Sequence, residues 1–315
     1  MLQYVTIRKY KHLNKLNNLW NSEFKKTFPI KKHLYKKYIL DDVNLNKDAS
    51  FVALYDNEPV GFVFVKTWLL DSGLLDEHDT AHISLIYVKK EMRNMGIGSD
   101  MLNLALAEIK KHTTIKKVVV GHEVNFIFAG VPSEVNNSSI FFINKGFSQK
   151  ENVVDMIRVL REDSFDDVDK KGLNVFIATE EEKDELLKLC ISNNLNQEAY
   201  KINKYFDNGG TGRRIAVGTV DDKIVAFVRF DDKNSLPFKV SSFLKDKKIG
   251  SILYVCVDEA YKDAGYDEVM SRTARNYLVK RGCKKVIVLA TKNIQFYKKQ
   301  GFSALRFYQQ FEMEI

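Results

Sequence analysis

The stretch VKKEMRNMGIGS, residues 88–99, is the most informative part of this sequence. It follows a β-rich run at residues 82–88 and precedes an amphipathic segment at residues 99–112. Gly96 and Gly98 let the backbone turn tightly with its N–H groups pointing one way, and a helix behind them adds the positive end of its dipole. The stretch therefore predicts a strand–loop–helix site for an anion such as a pyrophosphate.

Two other glycine-loop motifs fit less well. A dinucleotide-binding fingerprint requires Gly or Ala three residues after Gly98, where this sequence has Met101. A P-loop requires Gly-Lys followed by Ser or Thr, which the stretch lacks. A plain turn that happens to contain two glycines stays open.

The elements around the loop occur twice. In the first half, β-rich runs at residues 50–55 and 60–65 flank an Asp-Asn turn. In the second half, runs at residues 214–220 and 224–230 flank Asp-Asp-Lys. Both patterns predict a β-hairpin.

The same order, strand, helix, strand and short helix, follows each hairpin. The first helix carries its apolar residues at helical spacing. These residues are Met101, Leu102, Ala105, Leu106 and Ile109. The last helices end alike, in FFINKGF at 141–147 and FYKKQGF at 296–302. The repeat predicts an α/β (α+β) fold of two tandem domains, each a mixed, mostly antiparallel sheet flanked by helices.

A charged, aperiodic segment at residues 161–172 separates the halves. We therefore expect one domain at 1–160 and another at 173–315, a division that suits a chain of 315 residues.

The three cysteines are far apart and match neither a metal site nor a disulfide framework, which suits a reducing compartment. No run resembles a signal peptide or a membrane span, so we expect a cytoplasmic protein without a membrane partner.

The net charge of +8 comes from lysines spread along the whole chain. A dispersed charge of this kind is more typical of a solvated surface than of a nucleic-acid interface. The sequence does not decide the oligomeric state, and a homodimer is compatible with it.

Arg-x-x-Gly-x-Gly at residues 93–98, after a strand that ends in Val88, resembles the CoA loop of the GNAT acetyltransferase superfamily. The two Gly-Phe helix endings resemble the last helix of that family. The whole chain is therefore similar to a tandem GNAT protein. The resemblance implies acetyl-CoA as co-substrate, no metal, and transfer of the acetyl group to a primary amine.

The resemblance also assigns the cofactor residues. Ile86, Tyr87 and Val88 would form a splayed strand that pairs with pantetheine and polarises the thioester carbonyl. The residues that would wrap the pyrophosphate are Arg93, Asn94, Met95, Gly96, Ile97, Gly98 and Ser99. In the second half the matching loop has Lys262 for the arginine and Asp267 for the second glycine. A carboxylate there repels phosphate, so we expect this degenerate loop to bind CoA poorly or not at all.

The candidate catalytic groups depart from the pattern of the family. Where the family commonly has a glutamate on the cofactor strand, this sequence has His82 and Ser84. His82, His122 and Glu123 are candidates for the base that takes the proton from the amine, and Tyr87 is a further candidate. All four equally suit a structural role.

The tyrosine that serves many family members as general acid is Phe142 here. The second half has Tyr297 at this position, next to the degenerate loop. Either another residue supplies the proton in the first half, or the thiolate leaves unassisted.

The aromatic loop at residues 122–132 resembles the matching loop of tandem GNAT proteins that acetylate glucosamine and glucosaminides. Phe126 and Phe128 would bind such a substrate, although packing between the domains explains them equally. The acidic loop at residues 71–79 would attract a cationic amine, and a solvated loop is the alternative.

We expect a small-molecule amine as acceptor, with amino sugars, polyamine-like compounds and antibiotics as candidates. Two alternatives stay open. One is acetylation of a protein or peptide. The other is a non-catalytic interaction protein that binds acyl-CoA, which Phe142 and the degenerate loop favour.

Overall fold

A computed structural model of the chain describes residues 1–68, 78–124, 126–135, 138–160, 171–232, 234–235 and 248–315. Its strands are β1 (Leu2–Thr6), β2 (Phe51–Tyr55), β3 (Glu58–Thr67), β4 (Thr80–Val88), β5 (Lys117–Val120), β6 (Val131–Pro132), β7 (Ser148–Gln149), β8 (Val153–Val159), β9 (Asn174–Ile177), β10 (Ile215–Val220), β11 (Lys223–Asp231), β12 (Ile249–Val257), β13 (Lys285–Thr291), β14 (Ser303–Gln309) and β15 (Phe311–Glu314). Its α-helices are α1 (Leu13–Phe24), α2 (Lys32–Tyr35), α3 (Ile97–Ile109), α4 (Ser138–Asn144), α5 (Lys183–Ser192), α6 (Asn196–Asp207), α7 (Tyr266–Lys280) and α8 (Ile294–Lys299). A π-helical turn over Lys36–Leu40 follows α2, and 3₁₀ turns over Lys90–Met92 and Glu259–Ala264 precede α3 and α7.

Each half contains the predicted hairpin. Asp56 and Asn57 join β2 to β3 with φ angles of 48° and 66°, and Asp221 and Asp222 join β10 to β11 with φ angles of 48° and 60°. Two central residues with positive φ match the twist of the flanking strands, and Asp and Asn tolerate this conformation. The prediction of two tandem α/β units is confirmed.

Each of the two sheets includes a strand from the other half of the chain. The first sheet has the order β1-β2-β3-β4-β5-β15-β7, and the second has the order β6-β14-β8-β13-β12-β11-β10-β9. Strand β15, from the end of the chain, thus lies inside the first sheet, while β8 lies inside the second. Among the described strand pairs, only β4–β5 and β12–β13 are parallel. The expected domains at 1–160 and 173–315 therefore do not coincide with the two sheets.

Helices cover both faces of the first sheet. Because side chains alternate across a strand, β3 directs Phe62 and Phe64 toward α1, and Val63 and Val65 toward α3. Helix α3 buries the predicted stripe, except that Leu106 is only partly buried. Each fully buried aliphatic side chain contributes about 1.5–3 kcal/mol. In the second half α7 covers one face, and α5 and α6 cover the other.

The three cysteines form no disulfide in the part of the chain that the structure describes, and all are buried. Burial raises the pKa of the Cys256 thiol to about 12, so this group stays a protonated, inert part of the core. Among the described residues, every helix is too short or too polar to cross a membrane.

An ion-pair network lies in the second half. Arg229 donates from Nε and Nη2 to Oε2 of the buried Glu198 at 3.0 and 2.8 Å, and Lys201 Nζ donates to Oε1 at 2.9 Å. Burial alone would raise the pKa of Glu198, but the charges of Arg229 and Lys201 outweigh it and lower the pKa to about 2.

This network makes the free energy of unfolding of the protein depend on pH. Glutamate in an unfolded chain has a pKa of about 4.3, so the stabilisation from Glu198 is complete above that value and is lost as the pH falls toward about 2. We expect the free energy of unfolding of the wild type to fall by about 1–3 kcal/mol more than that of Glu198→Gln as the pH is lowered through this window. Urea unfolding at a series of pH values measures the difference, and parallel curves would contradict it.

Candidate active site

Strands β4 and β5 separate in the middle of the first sheet. Their pairing ends at Ile83 and Val120, while β4 runs on to Val88 against β3. The β3 register shifts between the pairings of Ile83 and Leu85, which makes Ser84 a bulge. A wedge therefore opens on the β5 side of β4.

Backbone groups of β4 face this wedge. Lys89 N–H donates to the Val60 carbonyl at 2.7 Å on the β3 side. Since backbone groups alternate along a strand, Ile86 and Val88 direct theirs to the open side. The Val88 carbonyl accepts a bond from Arg93 Nε at 2.9 Å there. The groups of Ile86 can pair with an extended ligand, as its predicted role requires.

The glycine loop ends at a helix start that offers donors. Asn94 and Gly96 are left-handed, with φ angles of 62° and 82°, and α3 begins at Ile97, two residues earlier than predicted. No side chain caps this end of the helix. The N–H groups of Ile97, Gly98 and Ser99 have no acceptor within the helix, so they form a cradle for an anion.

Arg93 fastens the loop to its surroundings. Besides its bond to Val88, it donates from Nη2 to Glu23 Oε2 at 2.5 Å, and Glu23 lies on α1. The same carboxylate oxygen accepts from the Tyr87 hydroxyl at 3.0 Å. Burial, and then the bond to Glu23, raise the pKa of Tyr87, so its hydroxyl keeps its proton and is a poor base.

A cavity of about 370 Å³ occupies the wedge between the loop, β4 and α1. Met95 turns away from it, with 61% of its area exposed. The other predicted cofactor residues line the cavity: Ile86, Tyr87, Val88, Arg93, Asn94, Gly96, Ile97, Gly98 and Ser99.

Aromatic side chains form one wall of the cavity. Trp20 and Phe24 on α1 are 4.5 Å apart between ring centroids, and Phe28 meets Phe128 edge to face at 5.2 Å. Phe128, which the resemblance predicts to bind substrate, thus lies on the cavity wall, and its role stays a prediction. The wall gives the cavity flat apolar faces beside the polar loop.

Phe126 and His122 lie outside the described cavity wall. Their rings stack on each other at 5.7 Å with an angle of 14° between planes. His122 has a positive φ of 60°, and its N–H donates to the Phe128 carbonyl at 2.9 Å. Both side chains therefore shape the loop that carries Phe128.

Glu123 reaches the cavity through another residue. Its carboxylate is fully buried, and Ser84, which lines the cavity, donates its hydroxyl to Glu123 Oε1. Lys66 Nζ lies 3.4 Å from the same oxygen. His82 is also buried. Its Nδ1 lies 2.9 Å from the Gly121 carbonyl, beside the last paired residues of β4 and β5.

The position of the family's general acid holds no hydroxyl. Phe142 is 2% exposed and packs against Phe147 and Phe311 at centroid distances of 5.4 and 5.9 Å. In the second half, burial raises the pKa of Tyr297. Neither side chain can readily protonate a leaving thiolate in the first cavity.

Side chains lie against the second loop where the first loop is open. Gly265 is left-handed with a φ of 72°, and α7 follows it. Asp267 accepts from the Glu268 N–H at 2.8 Å, and a Cβ on Gly265 would collide with Lys171 Nζ. Weak CoA binding by this half stays a prediction.

Several site residues were not predicted, and one predicted loop cannot be placed. Trp20, Phe24 and Phe28 are four residues apart, and this spacing was the available signal for an aromatic wall. No sequence signal points to Glu23. Of the acidic loop at 71–79, residues 71–77 lie outside the described residues.

Comparison of the chain with known protein families identifies its class. The model of the acetyltransferase (GNAT) family matches residues 13–127 and 180–302, so the chain belongs to this family. The resemblance predicted from the glycine loop and the helix endings is confirmed.

Similar proteins support the tandem arrangement. An uncharacterized N-acetyltransferase of Methanocaldococcus jannaschii is 27% identical over 137 residues, which are 41% of this chain and 55% of that protein. The glucosamine N-acetyltransferase region of a fungal multi-domain GH3 β-N-acetylglucosaminidase superposes with a TM-score of 0.85 at 17% identity, over 99% of this chain and 38% of the fungal one. A tandem GNAT protein from the clavulanic acid biosynthesis pathway superposes with a TM-score of 0.67 at 12% identity, over 100% and 98% of the two chains. The chain thus spans about half the length of its curated relative, and the two superpositions show the fold.

Proposed function

We propose that this protein transfers the acetyl group of acetyl-CoA to a primary amine of a small molecule, with an amino sugar as the leading acceptor class. The observation that carries the proposal is the continuous site in the first half. An open strand edge leads from Ser84 to the helix start at Ile97, and the cavity runs along it.

The residues present fit acetyl-CoA. The N–H groups of Ile97, Gly98 and Ser99 suit the diphosphate, and the edge of β4 suits the pantetheine amides. Acetyl-CoA supplies the thioester, whose carbonyl carbon bonds to the amine nitrogen as the C–S bond breaks and the sulfur leaves as thiolate. A free N–H on the edge of β4 would stabilise the oxyanion.

Ser84 and Glu123 would remove the proton from the amine. The Ser84 oxygen accepts the amine proton while its own hydroxyl proton passes to Glu123 Oε1, along the hydrogen bond already formed. With Phe142 at the acid position, the thiolate leaves unassisted. Holding the two reactants together in the cavity supplies much of the rate.

The acceptor class rests on two observations. The aromatic wall offers flat faces of the kind that stack on sugar rings. In addition, the fungal region with the similar fold is described as a glucosamine N-acetyltransferase.

The Glu123→Gln variant tests the chemistry. We expect kcat to fall about 10²- to 10³-fold because the general base is lost, with the Kd for acetyl-CoA unchanged. His122→Gln is the comparison variant and should keep kcat within about threefold, since the half-buried His122 lies outside the described cavity wall. Thiol release from acetyl-CoA, with glucosamine, a polyamine and a peptide as acceptors, measures both. Acetyl-CoA binding without turnover on any amine would instead favour a non-catalytic acyl-CoA-binding protein.

A further inference from the structure

Lys66 is a fully buried lysine next to the proposed base. It lies on β3, and its ammonium contacts three groups. Nζ lies 2.9 Å from Asp42 Oδ2 and 3.4 Å from Glu123 Oε1, and it donates to the Tyr38 carbonyl at 2.9 Å. All three ammonium protons therefore have acceptors. A buried ammonium requires partners of this kind, namely negative charges and hydrogen-bond acceptors.

The cluster has one more negative than positive charge when all three groups are ionised. If Glu123 takes up a proton, the cluster becomes neutral, which a buried environment favours. Lys66 pulls in the opposite direction, because its charge stabilises the Glu123 carboxylate. Asp42 shares that charge, because the Lys66 ammonium lies between the two carboxylates.

We propose that Lys66 and Asp42 are a positioning pair that balances Glu123 between two states: an ionised carboxylate before the reaction, and a protonated one after it has taken the amine proton through Ser84. This inference rests on the proposed function. Neither Lys66 nor Asp42 is among the described residues that line the cavity, so both act through Glu123.

Other ionisable groups surround the cluster. His82, on β4, contacts the Gly121 carbonyl, and His122 precedes Glu123 in the chain. From α6, Tyr200 packs against Trp68 and Val124, and burial and then the Asp42 charge raise its pKa. The second half thus closes this side of the cluster with a tyrosine that stays neutral.

Two single variants should shift the pH dependence of kcat in opposite directions. Lys66→Met leaves two carboxylates without their cation, so Glu123 holds a proton more readily, and the pH of half-maximal activity on the acidic side should rise by about one unit. Asp42→Asn leaves the whole Lys66 charge to Glu123, so the same half-activity pH should fall by about half a unit or more. A merely structural role would not give opposite shifts.

The double variant Lys66→Met/Asp42→Asn is the matched control. It removes one charge of each sign, and its half-activity pH should return to within about 0.3 units of the wild type. The Kd for acetyl-CoA serves as a check that each variant is folded. Unshifted acidic limbs in both single variants, with wild-type Kd values, would overturn the inference. If the wild type acetylates no amine at all, the proposed function fails instead, so the two failures are distinguishable.

Discussion

Replacing Gly98 by aspartate is expected to weaken acetyl-CoA binding at least about 100-fold without unfolding the protein. Gly98 lies in the first turn of α3, where a carboxylate stabilises the helix by about 0.3–1 kcal/mol. The same carboxylate would face the diphosphate across a few ångströms, and a repulsion of about 3 kcal/mol is a modest value for like charges at that distance. The second half already carries this change, as Asp267.

Calorimetric titration with acetyl-CoA and a thermal melt measure the two effects together. Gly98→Ala is the matched control. A Cβ at this position would lie 3.5 Å from Val88 Cγ2 and 3.6 Å from the Phe141 ring, which is ordinary van der Waals contact. The alanine variant should therefore bind acetyl-CoA within about threefold of the wild type, since it adds no charge and no clash. If the aspartate variant also binds like the wild type, the diphosphate does not sit at the start of α3.

Deleting residues 311–315 is expected to abolish acetyl-CoA binding, although the glycine loop lies more than 200 positions away in the chain. Strand β15 pairs with β5 through Glu312, Met313 and Glu314, and it also pairs with β7. Phe311 is fully buried against Phe142. Truncating one buried phenylalanine costs about 3–5 kcal/mol, and losing the strand as well approaches the whole stability of a typical domain.

Circular dichroism melts and calorimetric titration would report both losses. Glu314→Gln is the control for the end of the strand, because its side chain is exposed, and it should change the free energy of unfolding by less than about 0.5 kcal/mol. A deletion variant that melts cooperatively near the wild-type temperature and still binds acetyl-CoA would show that β15 is dispensable to the first sheet.

Local patterns were sufficient to predict most of the elements. The Asp-Asn and Asp-Asp turns specify their hairpins because both central residues adopt positive φ. The apolar stripe of α3 and the glycines that follow α4 and α8 set those helices within a few residues. These signals depend only on residues close in the chain.

The strand exchange depends on something that local patterns do not contain. The residues of β8 and β15 do not by themselves specify which of the two sheets each strand joins. Which sheet receives each strand is decided by the path of the chain between them. The site has the same limit, since Glu23 meets Arg93 from 70 positions away, and Lys66 meets Glu123 from 57.

The exchanged strands also set the timing of folding during synthesis. In the first sheet, residues 311–314 fill the space between β5 and β7, and the ribosome adds them after every other described strand of both sheets. Domains made early in a chain usually fold while the rest is being translated. Here the half that carries the glycine loop must wait, with the β5 edge open, until the other half has been made. Each sheet is completed by a strand from the other half of the chain. We therefore expect the cofactor cleft to form only after both halves have been made.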